Sequence, residues 1–180
     1  MSSINYDLTK IKGIAFDVDG VLSPSVIPLH PNGEPMRCAN IKDGYAIQLA
    51  AKLGYELAII TGGDTESVQK RFVGLGVQNV IMSASQKIDH FNAWLERTGL
   101  KPEQVVYVGD DIPDIEVMKV AGLSIAPADA AHDVKAIAKY ISPYNGGYGV
   151  GREIIEQIMK AKGEWLTDEL AFGGKNSSNE

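Results

Sequence analysis

The stretch Ile14–Ser23, IAFDVDGVLS, runs from an apolar segment into two carboxylates, Asp17 and Asp19, and then at once into a glycine. An apolar run ending this way reads as a buried strand that delivers acids at its carboxyl end. Two like charges so close repel and are costly to desolvate, so the pair calls for a cation. Outward from this strand, short β-branched runs alternate with longer amphipathic segments: KGIAFD, YELAIIT, QNVIM, QVVYVGD, GLSIA and KYIS as strands, with helices opening near Gly44, Asp64, Gln86, Ile112 and Ala130, and a last one from Val150 to Lys162. That alternation predicts an α/β domain with a doubly wound parallel sheet. Gly54, Gly76, Gly99 and Gly122 sit where helix C-caps are expected before the next strand.

With 180 residues, 44% of them hydrophobic, the chain has the size and core of one domain, placed at residues 1–163. The N-terminus MSSINYDLTK has no basic start followed by an apolar run, and no window approaches the roughly 18 to 20 apolar residues of a membrane span. The expectation is a soluble, cytoplasmic protein. One cysteine, Cys38, excludes an internal disulfide, and a formal net charge of −6 argues against nucleic acid or a membrane surface as partner.

Two segments interrupt the rhythm. Ser23–Asn40 carries Asn32-Gly33 between extended arms, which predicts a β-hairpin flap, residues 23–40, closed by a type I′ turn. Residues 164–180 end in FGGKNSSNE and are expected to form a mobile tail.

In an open parallel sheet, ligands bind beyond the carboxyl ends of the strands. There the sequence collects Asp17 and Asp19 after the first strand, Thr61, Gly62 and Gly63 after the second, Lys87 at the helix following the third, and Asp110, Asp111 and Asp114 after the fourth. Hard oxygen donors suit Mg²⁺, with Asp17 and Asp110 as its two direct carboxylates. Against such a metal and Lys87, Asp17 can attack phosphorus, while Asp19 exchanges a proton with the leaving alcohol and with water. Gly20 lets the chain turn sharply and brings backbone N–H groups to the phosphate.

DVDGVL, IITGG, Lys87 at a helix start and GDDIPD, in this order, resemble the motifs of the haloacid dehalogenase superfamily of phosphotransferases. The resemblance runs from Gly13 to about Pro127. It implies that Asp17 is the nucleophile and Asp19 the general acid/base, that Thr61, Gly62 and Lys87 bind the phosphoryl group, and that Mg²⁺ is held by Asp17, the backbone carbonyl of Asp19 and Asp110, with Asp111 in support. Members with cap domains insert them after the first motif or before the strand carrying the fourth. Here about twenty residues follow Asp19 before the next helix, and Lys87 to Gln104 holds one helix. The chain is therefore expected to be uncapped, with the flap and tail as available lids.

Within the uncapped branch, NIKDGYAIQLA, VQKRF and GGYGVGREIIEQI resemble the 3-deoxy-D-manno-octulosonate 8-phosphate (KDO 8-phosphate) phosphatases of lipopolysaccharide synthesis. That implies a homotetramer sharing lids between subunits and a small phosphorylated sugar acid as substrate. The substrate's carboxylate needs a second cationic site, for which Arg71, after VQK, is the candidate, with Arg37 on the hairpin and Arg152 in GVGRE as further cationic candidates. Relatives acting on nine-carbon, sialic-acid-type sugar phosphates, some with an acid after TG, are the alternative; Gly63 at that position favours the eight-carbon sugar, although many octulosonate enzymes have arginine there. A phospho-receiver domain uses similar parts, but its phosphorylated aspartate comes from a middle strand. The third strand here ends in IMSAS, without one. A phosphatase of phosphoproteins or nucleic-acid ends is a further reading, weakened by the acidic composition and the match at GGYGVGRE.

Overall fold

A computed structural model describes residues 4–167 and 169–173. Six parallel strands, β1 (Gly13–Phe16), β2 (Glu56–Ile60), β3 (Asn79–Ile81), β4 (Val105–Val108), β5 (Leu123–Ala126) and β6 (Tyr140–Ile141), lie in the order β3-β2-β1-β4-β5-β6. Strand β1 pairs with β2 on one side and β4 on the other, Phe16 aligning with both Ile59 and Val108. The winding reverses between β1 and β4, so their carboxyl ends flank the crevice that this topology leaves for a ligand.

Alternate side chains of each strand point to opposite faces, and both faces are covered. Ile14, Phe16, Leu57, Ile59, Val106 and Val108 pack on one side with α1 (Ile41–Lys52), α2 (Glu66–Gly74) and α6 (Val150–Lys162). Ala15, Ala58, Ile60, Val105 and Tyr107 face the other, under α3 (Lys87–Thr98), α4 (Ile115–Val120) and α5 (His132–Ile137). All four residues of β1 are buried, which is why its sequence is continuously apolar rather than alternating.

Among the described residues no inserted domain follows β1 or β3. The flap alone fills the first connection, and α3 with a 3₁₀ turn, Pro102–Gln104, fills the second. The flap is a hairpin, bridged antiparallel between Leu29 and Pro35, but its turn differs from the expected type I′. The Gly33 N–H donates to His30 O, placing Pro31 and Asn32 at the corner, and Gly33 alone has positive φ, +90°. Proline's fixed φ shifts the corner one residue back, giving a three-residue loop with glycine in the left-handed position. Gly54, Gly76 and Gly99 take positive φ at helix ends as expected, whereas Gly122 does not. Gly122 is needed for space: a Cβ there would lie 2.6 Å from Glu103 Cα and 2.7 Å from Pro102 O.

One loop ties the flap's two roots to the core. Gly147 N–H donates to Val21 O, and its carbonyl accepts from Asn40 Nδ2. Nearby, the buried Asp43 of α1 accepts the Arg152 N–H through Oδ1 at 2.7 Å and so caps the first turn of α6. This contact joins two of the motifs that carried the family resemblance, NIKDGY and GVGRE. Of the expected tail, residue 168 and residues 174–180 lie outside the described residues. Within it, Trp165 packs edge-on against Tyr45, and Tyr45 donates to Ala171 O. No helix among the described residues is long and apolar enough to cross a membrane.

Asp43→Ala removes an interhelical cap. The expected result is a loss of about 1 to 2 kcal/mol in urea unfolding, which an unchanged midpoint would contradict.

Candidate active site

The first turn after β1 explains why glycine follows the two acids. Gly20 has φ +83°, and a Cβ there would fall 1.9 Å from Asp110 Oδ2. Any side chain at position 20 would push the β1 and β4 carboxylates apart; its absence lets Asp110 close on the turn. Asp17, Asp19, Thr61, Gly62, Gly63, Lys87, Asp110 and Asp111 together line one cavity of about 420 Å³ at the carboxyl edge of the sheet, with Ser25 and Ser85. Residues distant in sequence are thus gathered where the strand-end argument places them.

The centre is an ion-pair network that the sequence only half discloses. Lys87, at the first position of α3 and buried, donates to Asp17 Oδ2 and Asp114 Oδ1, both at 2.7 Å. Asp114 is fully buried and saturated: Oδ1 also accepts Tyr107 OH at 2.6 Å, and Oδ2 accepts the N–H groups of Asp110 and Asp111 at 2.9 and 3.2 Å. In the sequence Asp114 is one of three acids after the fourth strand, with no separate role. It is the post on which Lys87 and the Asp110-Asp111 turn are fixed. Its spacing four residues after Asp110 was visible, but its burial was not.

Asp17, Asp110 and Asp114 each offer an oxygen within 4.8 Å of the others. Against these three carboxylates stands one ammonium, Lys87. Burial, reinforced by Asp114, raises the Asp17 pKa to about 6 despite Lys87. Burial, with repulsion from Asp17, Asp114 and Asp111, raises Asp110 to about 8. Burial pulls Lys87 down, but Asp17 and Asp114 outweigh it and hold its pKa above the usual value. Lys87 serves both acids, and each acid repels the other. Two negative charges remain uncompensated when all three acids ionise, and hard oxygen donors fit a divalent cation such as Mg²⁺. Asp17 and Asp110 have capacity for it, whereas Asp114 is occupied by its four donors.

Asp19 departs from this cluster. Its side chain is gripped by the flap, with Arg37 Nε on Oδ1 at 2.6 Å and Nη2 on Oδ2 at 2.8 Å, while Nη1 donates to Thr65 Oγ1 at 2.6 Å. Thr61 is buried, and its Oγ1 accepts the Gly63 N–H at 3.2 Å, shaping the loop after β2. Arg71 lies outside the cavity of Asp17, in a neighbouring one of about 220 Å³ that Arg37 also lines, together with Ser23 and Asp43. Arg152 lines neither of these two cavities. It pairs with Glu156 at 2.9 Å, and its guanidinium lies 4.6 Å from the Trp165 ring centroid and 5.4 Å from that of Tyr45.

The family model for haloacid dehalogenase-like hydrolases matches residues 78–154. The chain is 39% identical over 154 residues to the 3-deoxy-D-manno-octulosonate 8-phosphate phosphatase KdsC of Escherichia coli, spanning 86% of this chain and 82% of that protein. The crystal structure of such a phosphatase from Yersinia pestis superimposes with a TM-score of 0.84 at 34% identity, covering 88% of this chain and 85% of that one. Another, from Moraxella catarrhalis in complex with magnesium ion, phosphate ion and KDO, gives a TM-score of 0.82 at 32% identity, covering 86% and 89%.

Because folding raises the pKa of Asp17 and Asp110 above the ordinary carboxylate value, the folded metal-free protein binds more protons than the unfolded chain between about pH 4 and 8. The contribution of these two acids to stability is therefore fully present below the unfolded pKa and is lost as pH rises through the folded values. In EDTA, Tm should drop between pH 5 and pH 8, and Mg²⁺ should raise it more at pH 8 than at pH 5. A Tm independent of both would contradict this charge balance.

Proposed function

Since the chain belongs to the 3-deoxy-D-manno-octulosonate 8-phosphate phosphatases of the haloacid dehalogenase-like hydrolases, we propose that it hydrolyses KDO 8-phosphate to the free sugar acid and phosphate through an aspartyl phosphate on Asp17. The observation that carries this reading is the buried Lys87, which holds Asp17 at the topological switch point facing Asp110. Asp17, the backbone carbonyl of Asp19 and Asp110 would hold Mg²⁺, with Asp111 in support. When bound, the ion supplies positive charge that lets an anionic carboxylate approach an anionic phosphoryl group.

The remaining work falls to the chain. The Asp17 carboxylate attacks phosphorus as the bond to the sugar oxygen breaks, and Asp19 gives that oxygen a proton. Asp19 then takes a proton from water, the resulting hydroxide attacks phosphorus, and the bond to Asp17 breaks to release phosphate. Thr61, Gly62 and Lys87 orient the phosphoryl oxygens at the mouths of β2 and α3. Arg71 and Arg37, on one cavity beside the site, are suited to the sugar acid's carboxylate.

The assembly belongs to the same proposal. On the flap and just beyond it, Val26, Leu29, Met36 and Ile41 are 86%, 67%, 45% and 82% exposed. An apolar lid of this kind favours packing against a neighbouring subunit, consistent with a homotetramer whose lids are shared. A cytoplasmic location fits a substrate whose charge keeps it from crossing membranes.

Asp17→Asn should abolish turnover while leaving the unfolding transition cooperative; retained activity would overturn the nucleophile assignment. Asp19→Asn should slow hydrolysis by roughly 10²- to 10⁴-fold, the usual contribution of general acid–base catalysis. Comparing kcat/KM for the eight-carbon and nine-carbon 2-keto-3-deoxy sugar acid phosphates tests the substrate, and a preference for the nine-carbon sugar would replace the present reading.

A further inference from the structure

The flap's arginine holds the residue that must move protons. Arg37 makes a two-point fork on Asp19, its side chain only 10% exposed and that of Asp19 36% exposed. Its third nitrogen is anchored on Thr65 at the mouth of α2. The guanidinium occupies space that Gly63 leaves open: a Cβ at position 63 would lie 2.7 Å from Arg37 Nη2 and 3.3 Å from Cζ. Arg37 also forms part of the wall of the adjoining cavity that contains Arg71. Arg37 therefore grips the proton-transfer group with its guanidinium and also lines the cavity that holds a second cation, Arg71.

A carboxylate accepting both forks of an arginine has its oxygens committed, and it must give up at least one to donate or take a proton. An incoming ligand carboxylate presents the same two oxygens to the same fork. We propose that Arg37 is a specificity-determining latch: it holds Asp19 in the free enzyme and exchanges it for the carboxylate of the substrate, so that Asp19 is released for proton transfer when a sugar acid is bound. The proposal rests on the phosphatase reading given above and adds how that site distinguishes an acidic from a neutral sugar phosphate. Phosphate monoesters without a carboxylate would bind their phosphate but leave the latch closed.

The test compares KDO 8-phosphate with ribose 5-phosphate, an alkyl monoester whose leaving oxygen also needs a proton but which has no carboxylate. Arg37→Ala should lower kcat/KM for KDO 8-phosphate roughly 30-fold or more, as expected for truncating a charge-assisted pair. The same variant should raise kcat for ribose 5-phosphate roughly two- to fivefold, the size of a part-exposed ion pair no longer broken. Gly63→Ala, which crowds Nη2 without removing the charge, should shift both substrates in the same directions by less. A parallel fall with both substrates would mean that Arg37 merely supports Asp19, and no change with either would mean that the contact is idle; both results overturn the latch. If the parent enzyme shows no preference for the sugar acid, the substrate assignment and a latch opened by its carboxylate fail together; a preference in the parent that Arg37→Ala leaves intact overturns the latch alone.

Discussion

The ammonium of Lys87, buried between Asp17 and Asp114, is the contact on which the rest of the site depends. Removing a buried charge's partner is far more damaging than the pair is stabilising, because the remaining charge keeps its desolvation cost. Lys87 links the end of β1 to the turn after β4 from its place at the start of α3. Three connections converge on one nitrogen, so the sheet edge is held in one arrangement before any ligand arrives. Tyr107 closes the network from below: its ring packs edge-on against Phe91, and its hydroxyl reaches Asp114. The core of the α3–α4–α5 face and the chemistry of the cavity thus share a single side chain.

This arrangement also separates the acids by task. Asp114 has its negative charge satisfied by four donors and is spent on structure. Asp17 and Asp110 are left with more negative charge than the protein itself balances, which is the condition for capturing a divalent cation. Asp19, two residues from Asp17, points away from both toward the flap. Asp17 and Asp110, Asp114, and Asp19 are therefore in three different environments on one edge, created by burial and by which donor reaches each.

How much of this was legible in the sequence depends on range. The strands, the switch-point edge and the acids at its mouth followed from patterning, because a strand buried on both faces has a run of apolar residues that ends where water begins. Helix α6, with bounds at Val150 and Lys162, was legible from its apolar stripe at helical spacing. What escaped was set by contacts between distant segments. Asp114 looked like a helix-start acid until Lys87 and Tyr107 were seen to meet on it. Arg37 stands behind Arg71 as a candidate in the sequence, and only the fold of the flap over Gly63 sets it on Asp19, while Trp165 and Glu156 claim Arg152. Gly122 imitated a cap because close approach and positive φ leave the same residue in the sequence. The turn at Asn32-Gly33 slipped by one because Pro31, just before it, fixes the corner.

The two hydrogen bonds of Gly147 bear on how such a latch can move. Val21 and Asn40, the roots of the flap, are both fastened to this single residue, one through its N–H and the other through its carbonyl. A rigid excursion of the segment between them is then restricted to rotation about the line joining those roots, as a door turns on two pins set in one post. Arg37, three residues from the second pin, sweeps a short arc, while the tip at Asn32 sweeps a long one. Arg37 is thus held near the fixed end of the flap and Asn32 at its free end, so the residue that grips Asp19 sits on the better-anchored part of the hairpin.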